Sequence, residues 1–62
     1  MITKVKDYGD YCIVWYEDGS RKTYAYIPEA VEEFKDFCSE KGFIRRVGQA
    51  IEYSVDPNFK SL

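Results

Sequence analysis

The sequence contains no histidine among its 62 residues, and this absence removes a large part of enzyme chemistry. Serine and cysteine nucleophiles are usually activated by a neighbouring histidine, and histidine is the commonest metal ligand in proteins. The four glycines are dispersed, so no glycine-rich phosphate-binding loop is present. The carboxylate pairs Asp7/Asp10 and Glu17/Asp18 fall at predicted turns, where carboxyl groups are solvated and form no pocket. We therefore expect a protein that is not an enzyme.

Cysteine is scarce as well, since Cys12 and Cys38 are the only two and neither belongs to a CxxC pair. A zinc or redox site has no support, and we expect two free, buried thiols, no metal and no cofactor. The N-terminus has no apolar run of signal-peptide length, and nothing approaches the roughly 18 apolar residues of a membrane-spanning helix. We therefore expect a protein of the reducing cytoplasm, without a membrane partner.

Aromatic and charged residues, in contrast, are abundant. They make up 18% and 32% of the chain, and 45% of the residues are hydrophobic. This composition is typical of an ordered domain, and a chain of this length has room for one small core. The formal net charge of −2 disfavours nucleic acid as the main partner, because that affinity depends largely on Lys and Arg neutralising phosphates. We expect one domain over residues 1–62, with a C-terminal tail from about residue 56.

The strongest structural signal is the segment 11–27, where two strand-like runs flank Asp18 and Gly19. This pair fits a two-residue type I′ turn, which would place Trp15 opposite Lys22 and so define the two faces of a hairpin. The run 2–7 alternates weakly and carries lysines, which predicts an edge strand.

Pro28 suits the first position of a helix that extends to about Lys41, and Gly42 would supply a left-handed cap. The segments 43–47 and 50–55 read as strands, joined by a turn at Gly48 or continuous as one bulged strand, and the turn is favoured. The sequence therefore predicts an α+β fold, an antiparallel β-sheet with one amphipathic helix packed on one face, in the order βββαβ(β). The helix presents its apolar stripe at Ala30, Val31, Phe34, Phe37 and Cys38.

Both faces of the predicted hairpin are partly apolar, so the sequence leaves open which one the helix covers. The face with Trp15, Ile13 and Ile2 carries the larger apolar side chains, so it is favoured as the core. In the alternative, the helix packs its phenylalanines on smaller residues and leaves the aromatic face exposed. Those smaller residues are Val5, Cys12, Val14 and Ala25.

Two sets of residues are candidates for protein interaction. Residues 28–41 hold five acids and two bases, and the acids could form a recognition face for a basic partner. They are Glu29, Glu32, Glu33, Asp36 and Glu40. The second set, exposed if the Trp15 face is the core, is Val14, Tyr16 and Ile27.

A third set interleaves aromatics with cations, as in platforms that stack bases and neutralise phosphates. It consists of Lys4, Lys6, Tyr11, Trp15, Lys22, Tyr24 and Tyr26. We expect a small non-enzymatic protein-interaction module, of the regulatory or inhibitory kind that phages and other mobile elements encode, with a protein partner or a second copy as its ligand. Weak binding of single-stranded nucleic acid through the third set is the alternative.

Overall fold

A computed structural model describes residues 1–55 of the chain as one antiparallel five-stranded sheet and one helix. The strands occur in the spatial order β3-β2-β1-β5-β4, and the predicted α+β fold is confirmed. The predicted C-terminal tail, residues 56–62, lies outside the described residues. The elements are β1 (Ile2–Asp7), β2 (Cys12–Tyr16), β3 (Arg21–Tyr24), α1 (Glu29–Lys41), β4 (Phe43–Val47) and β5 (Ala50–Ser54).

The first strand, β1, is the central strand of the sheet, and its prediction as an edge strand is wrong. It pairs with β2 on one side and with β5 on the other. The lysines of β1 do not protect a sheet edge. Lys6 lies opposite Glu52 of β5, and Lys4 forms an ion pair with the same carboxylate at 3.8 Å. Cross-strand pairing of opposite charges explains them.

The turn between β2 and β3 has three residues where a two-residue type I′ turn was predicted. Tyr16 N donates to Ser20 O at 2.9 Å, and Gly19 N donates to Tyr16 O at 3.0 Å. Gly19 alone adopts a positive φ, 91°, whereas a type I′ turn needs one at Asp18 too. Asp18 Oδ1 instead accepts hydrogen bonds from Ser20 N and Ser20 Oγ, which favours a type I turn followed by a glycine bulge.

This extra loop residue shifts the register of β3 by one position. Trp15 lies opposite Arg21, and Val14 lies opposite Lys22. A one-residue shift turns every side chain of a strand to the other face. Lys22 and Tyr24 therefore share the side of Val14, and the predicted pairing of Trp15 with Lys22 is wrong.

The second hairpin agrees with the favoured prediction. Val47 pairs with Ala50 across the two-residue turn Gly48-Gln49, and Gly48 has a φ of 63°. A glycine with positive φ at the first turn position is typical of a type II′ turn. The alternative of one long bulged strand is excluded.

The helix packs on the sheet side that carries Val5, Cys12 and Val14, all with no exposed surface. This is the alternative arrangement, and the favoured one, with Trp15 beneath the helix, is wrong. The alternative is itself wrong at Ala25, which lies after the end of β3 and is exposed. Small side chains on the sheet let the helix approach closely. A bulge at Thr3 turns Ile2 to the helix side too, since Ile2 pairs with Tyr16 and Lys4 with Trp15. The helix contributes Val31, Phe34 and Cys38 to the core.

Gly42 ends the helix for a reason other than the predicted left-handed cap. Its φ of −110° and ψ of −153° are extended, so the cap prediction is wrong. A Cβ at this position would lie 2.8 Å from Cys38 Cα and 2.9 Å from Ser54 O. Gly42 is needed because helix and sheet approach each other here without room for a side chain.

Candidate interaction surfaces

The acidic face of α1 consists of the five carboxylates predicted from the sequence, and all of them are exposed. They are Glu29, Glu32, Glu33, Asp36 and Glu40. Four of them follow the spacing i, i+4, i+7, i+11, which places them along one stripe of the helix. Among the described residues only Glu32 of this face has an ion pair, with Lys35 at 3.8 Å.

Lys35 is directed toward the sheet by a stronger partner. Its Nζ donates to Asp7 Oδ2 at 2.7 Å and lies 5.6 Å from the centre of the Tyr53 ring. Burial is the largest single influence and opposes the charge on each group. The hydrogen bond and the Coulombic attraction between the two groups, with the Gly9 N–H at Asp7, together outweigh it, so the pKa of Asp7 is lowered and the pKa of Lys35 is raised. Asp7 is thus a half-buried structural group, and its prediction as a solvated turn residue is wrong. In the described part of the chain, the acidic face therefore has one ion pair, the 3.8 Å contact of Glu32 with Lys35.

An apolar groove runs beside the acidic face, between α1 and the ends of β1 and β5. Its volume is about 430 Å³. Phe37 remains 48% exposed here, although its helical spacing predicted a place in the core. The groove is lined by Met1, Ile2, Ala30, Glu33, Phe34, Phe37 and Val55.

The second predicted interaction set lies on the helix side of the sheet. Val14 has no exposed surface and belongs to the core. Tyr16 and Ile27 are half-buried and pack against that core, and the Tyr16 hydroxyl lies 3.0 Å from the Tyr24 hydroxyl. These residues support the sheet–helix interface, and Val14 presents no surface to a partner.

The third predicted set is divided between the two sides of the sheet. Lys4, Lys6 and Trp15 lie on the side away from α1, here called the far face. Lys22 and Tyr24 lie on the helix side because of the shifted register. The two remaining tyrosines lie outside the strands: Tyr11 stacks on Tyr8 with ring centres 4.6 Å apart, and Tyr26 is 63% exposed. By register the far face includes Lys4, Lys6, Ile13, Trp15, Arg21, Thr23, Phe43, Arg45, Val47, Ala50, Glu52 and Ser54.

The far face has a buried carboxylate that sequence reasoning missed. Glu52 is 3% exposed, and it accepts a hydrogen bond from Arg45 Nε at 2.9 Å in addition to its ion pair with Lys4. Lys4 also lies 4.4 Å from the centre of the Trp15 ring. The contact between Arg45 and Glu52 could have been predicted from the sequence, because a two-residue turn at Gly48-Gln49 places these two residues opposite each other. Two of the cations on this face are therefore engaged by an internal carboxylate.

Both thiols are buried and unpaired, as predicted. Cys12 Sγ donates to Tyr26 O at 3.5 Å, and Cys38 Sγ donates to Ser54 O at 3.6 Å. Burial raises the pKa of each thiol, which disfavours the reactive thiolate. The structure gives these cysteines a packing role.

No helix within residues 1–55 is long and apolar enough to cross a membrane. The same residues contain no group of three or more potential ligands that could hold a metal ion. Comparison of the chain with models of known protein families, with curated protein sequences and with solved structures gave no match. The surfaces described above are therefore the basis for a functional proposal.

Proposed function

We propose that this protein is a small non-enzymatic interaction module, regulatory or inhibitory in role, that binds a basic protein partner through the acidic face of α1. The observation that supports it is the set of five exposed carboxylates on one helix. Within residues 1–55 their one ion-pair partner is Lys35, which lies closer to Asp7, at 2.7 Å, than to Glu32, at 3.8 Å. Two buried, unpaired thiols fit a place of action in the reducing cytoplasm.

The acidic face is costly to the helix itself. Three like-charge pairs occur at spacing i, i+4, and each destabilises a helix by about 0.2–0.5 kcal/mol. They are Glu29/Glu33, Glu32/Asp36 and Asp36/Glu40. The helix dipole favours only the acids of its first turn, so Asp36 and Glu40 gain nothing from it.

The geometry of the stripe fits a partner that normally binds a polyanion. The spacing from Glu29 to Glu40 spans about 16 Å along the helix axis at 1.5 Å per residue. A row of carboxylates of that length can occupy a basic groove where phosphates otherwise bind, which would make the module a competitor of nucleic acid. A second copy is a poorer partner for this face, because face-to-face association would bring two sets of acids together.

The test uses a labelled Lys/Arg-rich peptide, with binding followed by fluorescence anisotropy at low and at moderate salt. We expect the double variant Glu33→Gln/Asp36→Asn to weaken binding by roughly threefold to tenfold at low salt. The matched control, Asp10→Asn/Glu17→Gln, removes the same charge from two exposed turn acids and should leave the affinity within a factor of two. Equal losses in the two double variants would refute the proposal, since they would indicate a net-charge effect only.

Binding of single-stranded nucleic acid remains the second candidate. Packing of α1 on the opposite side of the sheet favours it, because Trp15 then lies on the far face with Lys4 at its ring and Arg21 opposite. The carboxylate of Glu52 counts against it, since it engages Lys4 and Arg45. The net charge of −2 also counts against it.

A labelled oligonucleotide tests this candidate. Affinity that falls steeply with salt and is lost in Trp15→Ala or Lys6→Glu supports it. Lys22→Glu is the matched control, because Lys22 lies on the helix side and should have a smaller effect. Absence of binding at low salt removes the candidate.

A further inference from the structure

The apolar groove beside the acidic face is built from parts of the chain that are far apart in sequence. Phe34 and Phe37 contribute from α1, Ile2 from β1, and Val55 from the residue after β5. The two strand ends are joined here by a hydrogen bond from Val55 N to Thr3 O at 3.3 Å. The groove therefore lies where α1 meets two hydrogen-bonded strand ends.

Within residues 1–55, the groove presents apolar side chains that remain exposed. Phe37 is 48% exposed and Met1 is 82% exposed, while Phe34, at 9%, is largely covered. Apolar side chains that face solvent around a concave site are typical of a place where another apolar group binds. A volume of about 430 Å³ is sufficient for one or two large side chains.

The charge beside the groove indicates which occupant fits. Glu33 belongs to the groove lining, and Glu29 and Glu40 lie one turn and two turns from it on the same helix. A second copy docked by the same groove would bring these acids into contact with their own counterparts. An occupant with cations beside its apolar group avoids this repulsion and gains complementary charge.

We propose that the groove receives a large apolar side chain from a basic amphipathic segment of the partner, while Lys or Arg residues of that segment pair with Glu33 and its neighbours on the acidic face. This inference rests on the proposed function and adds the anchor that gives it specificity. Acidic side chains alone attract any cationic surface, whereas a pocket for an apolar side chain selects among them.

The experiment compares two labelled peptides of equal positive charge. One carries leucines at helical spacing i, i+3, i+4, and in the other these leucines are replaced by glutamine. The wild-type protein should bind the leucine peptide at least about tenfold more tightly, the ratio expected for burial of one large apolar side chain. Phe37→Gln should remove that ratio, and so should Ala30→Phe, which fills the groove from an exposed position of α1.

Ile44→Gln is the matched control, because Ile44 is 46% exposed on β4 and is not part of the groove lining. It should preserve the tenfold ratio, and circular dichroism should show all three variants folded. Equal affinities of the two peptides, with Glu33→Gln/Asp36→Asn still weakening both, would overturn the groove inference and leave the acidic-face function standing. Absence of binding by either peptide would overturn both.

Two further results would assign the groove to another occupant and so overturn the inference. One is a dimer at micromolar concentration in sedimentation that Phe37→Gln dissociates. The other is binding of the leucine peptide only after removal of residues 56–62.

Discussion

Lys35 Nζ donates a 2.7 Å hydrogen bond to Asp7 Oδ2, and this contact joins α1 to the end of β1. Asp7 is further held by the Gly9 N–H at 2.8 Å, so a single carboxylate orders the β1–β2 turn and anchors the helix. Both side chains are at most one-fifth exposed, which limits screening by solvent. The pair also determines the charge of the helix surface, because it withdraws a cation from the acidic face.

We predict that Asp7→Asn lowers the free energy of unfolding by about 1–2 kcal/mol at pH 7, the size of a charge-assisted hydrogen bond. The lowered pKa of Asp7 means that its contribution is present above the unfolded value and is lost as the pH falls through the folded one. The raised pKa of Lys35 gives a contribution that is lost only as the pH rises through its folded value.

Urea unfolding between pH 7 and pH 2.5 checks this prediction. The difference between the wild-type protein and Asp7→Asn should shrink as the pH falls below about 4. Asp10→Asn is the control, as Asp10 is exposed, and it should be close to neutral at pH 7. A difference that persists unchanged at pH 2.5 would contradict the assignment of the effect to the charge of Asp7.

We predict that Gly42→Ala destabilises the protein by about 1–3 kcal/mol, the usual cost of forcing an extra methyl group into a packed site. The new Cβ would meet Cys38 Cα, Cys38 Sγ and Ser54 O, all within 2.9 Å. Gly48→Asn should cost far less, because nothing lies within 4 Å of a Cβ there and asparagine tolerates a φ of 63°. Thermal unfolding of the two variants measures the contrast, and equal losses would contradict the steric explanation for Gly42.

The sequence predicts the elements of this fold well, since each depends on local signals. The apolar stripe and Pro28 define α1, and Gly48 marks the second hairpin. The turn at Asp18-Gly19 is harder, because the same residues fit a two-residue and a three-residue loop, and the choice reverses the faces of β3. The preferred loop is the one in which Asp18 can accept two hydrogen bonds from Ser20.

The surfaces are predicted less well, for a physical reason. The exposure of the acidic face follows from helical periodicity alone, and it agrees with the structure. The groove forms because Ile2, Phe37 and Val55 lie close together in the fold. These residues are far apart in the sequence, so no local sequence pattern predicts it. The two faces of the sheet are both partly apolar, so composition does not indicate that α1 covers Val14 and leaves Trp15 on the other side.

We predict that Glu52→Gln destabilises the protein by about 1–3 kcal/mol, because a buried carboxylate with two cationic partners becomes a neutral amide beside them. A double-mutant cycle with Arg45→Met isolates the 2.9 Å contact, and we expect a coupling energy of about 1 kcal/mol. A coupling near zero would show that Arg45 and Glu52 act independently. If nucleic acid is the partner, Glu52→Gln should also strengthen oligonucleotide binding, since it removes a negative charge from the far face.

Trp15 is the single tryptophan of the chain, so its fluorescence reports the far face without interference. It is half-buried, and Lys4 Nζ lies 4.4 Å from the centre of its ring. We predict partial quenching by acrylamide in the wild-type protein, between that of a core tryptophan and a free one. Lys4→Ala removes the covering side chain, so it should increase the quenching constant and shift the emission to longer wavelength. Lys22→Ala is the control, because Lys22 extends from the opposite side of β3, and it should change neither quantity. Quenching that is equal in the wild-type protein and Lys4→Ala would mean that something other than Lys4 shields the ring.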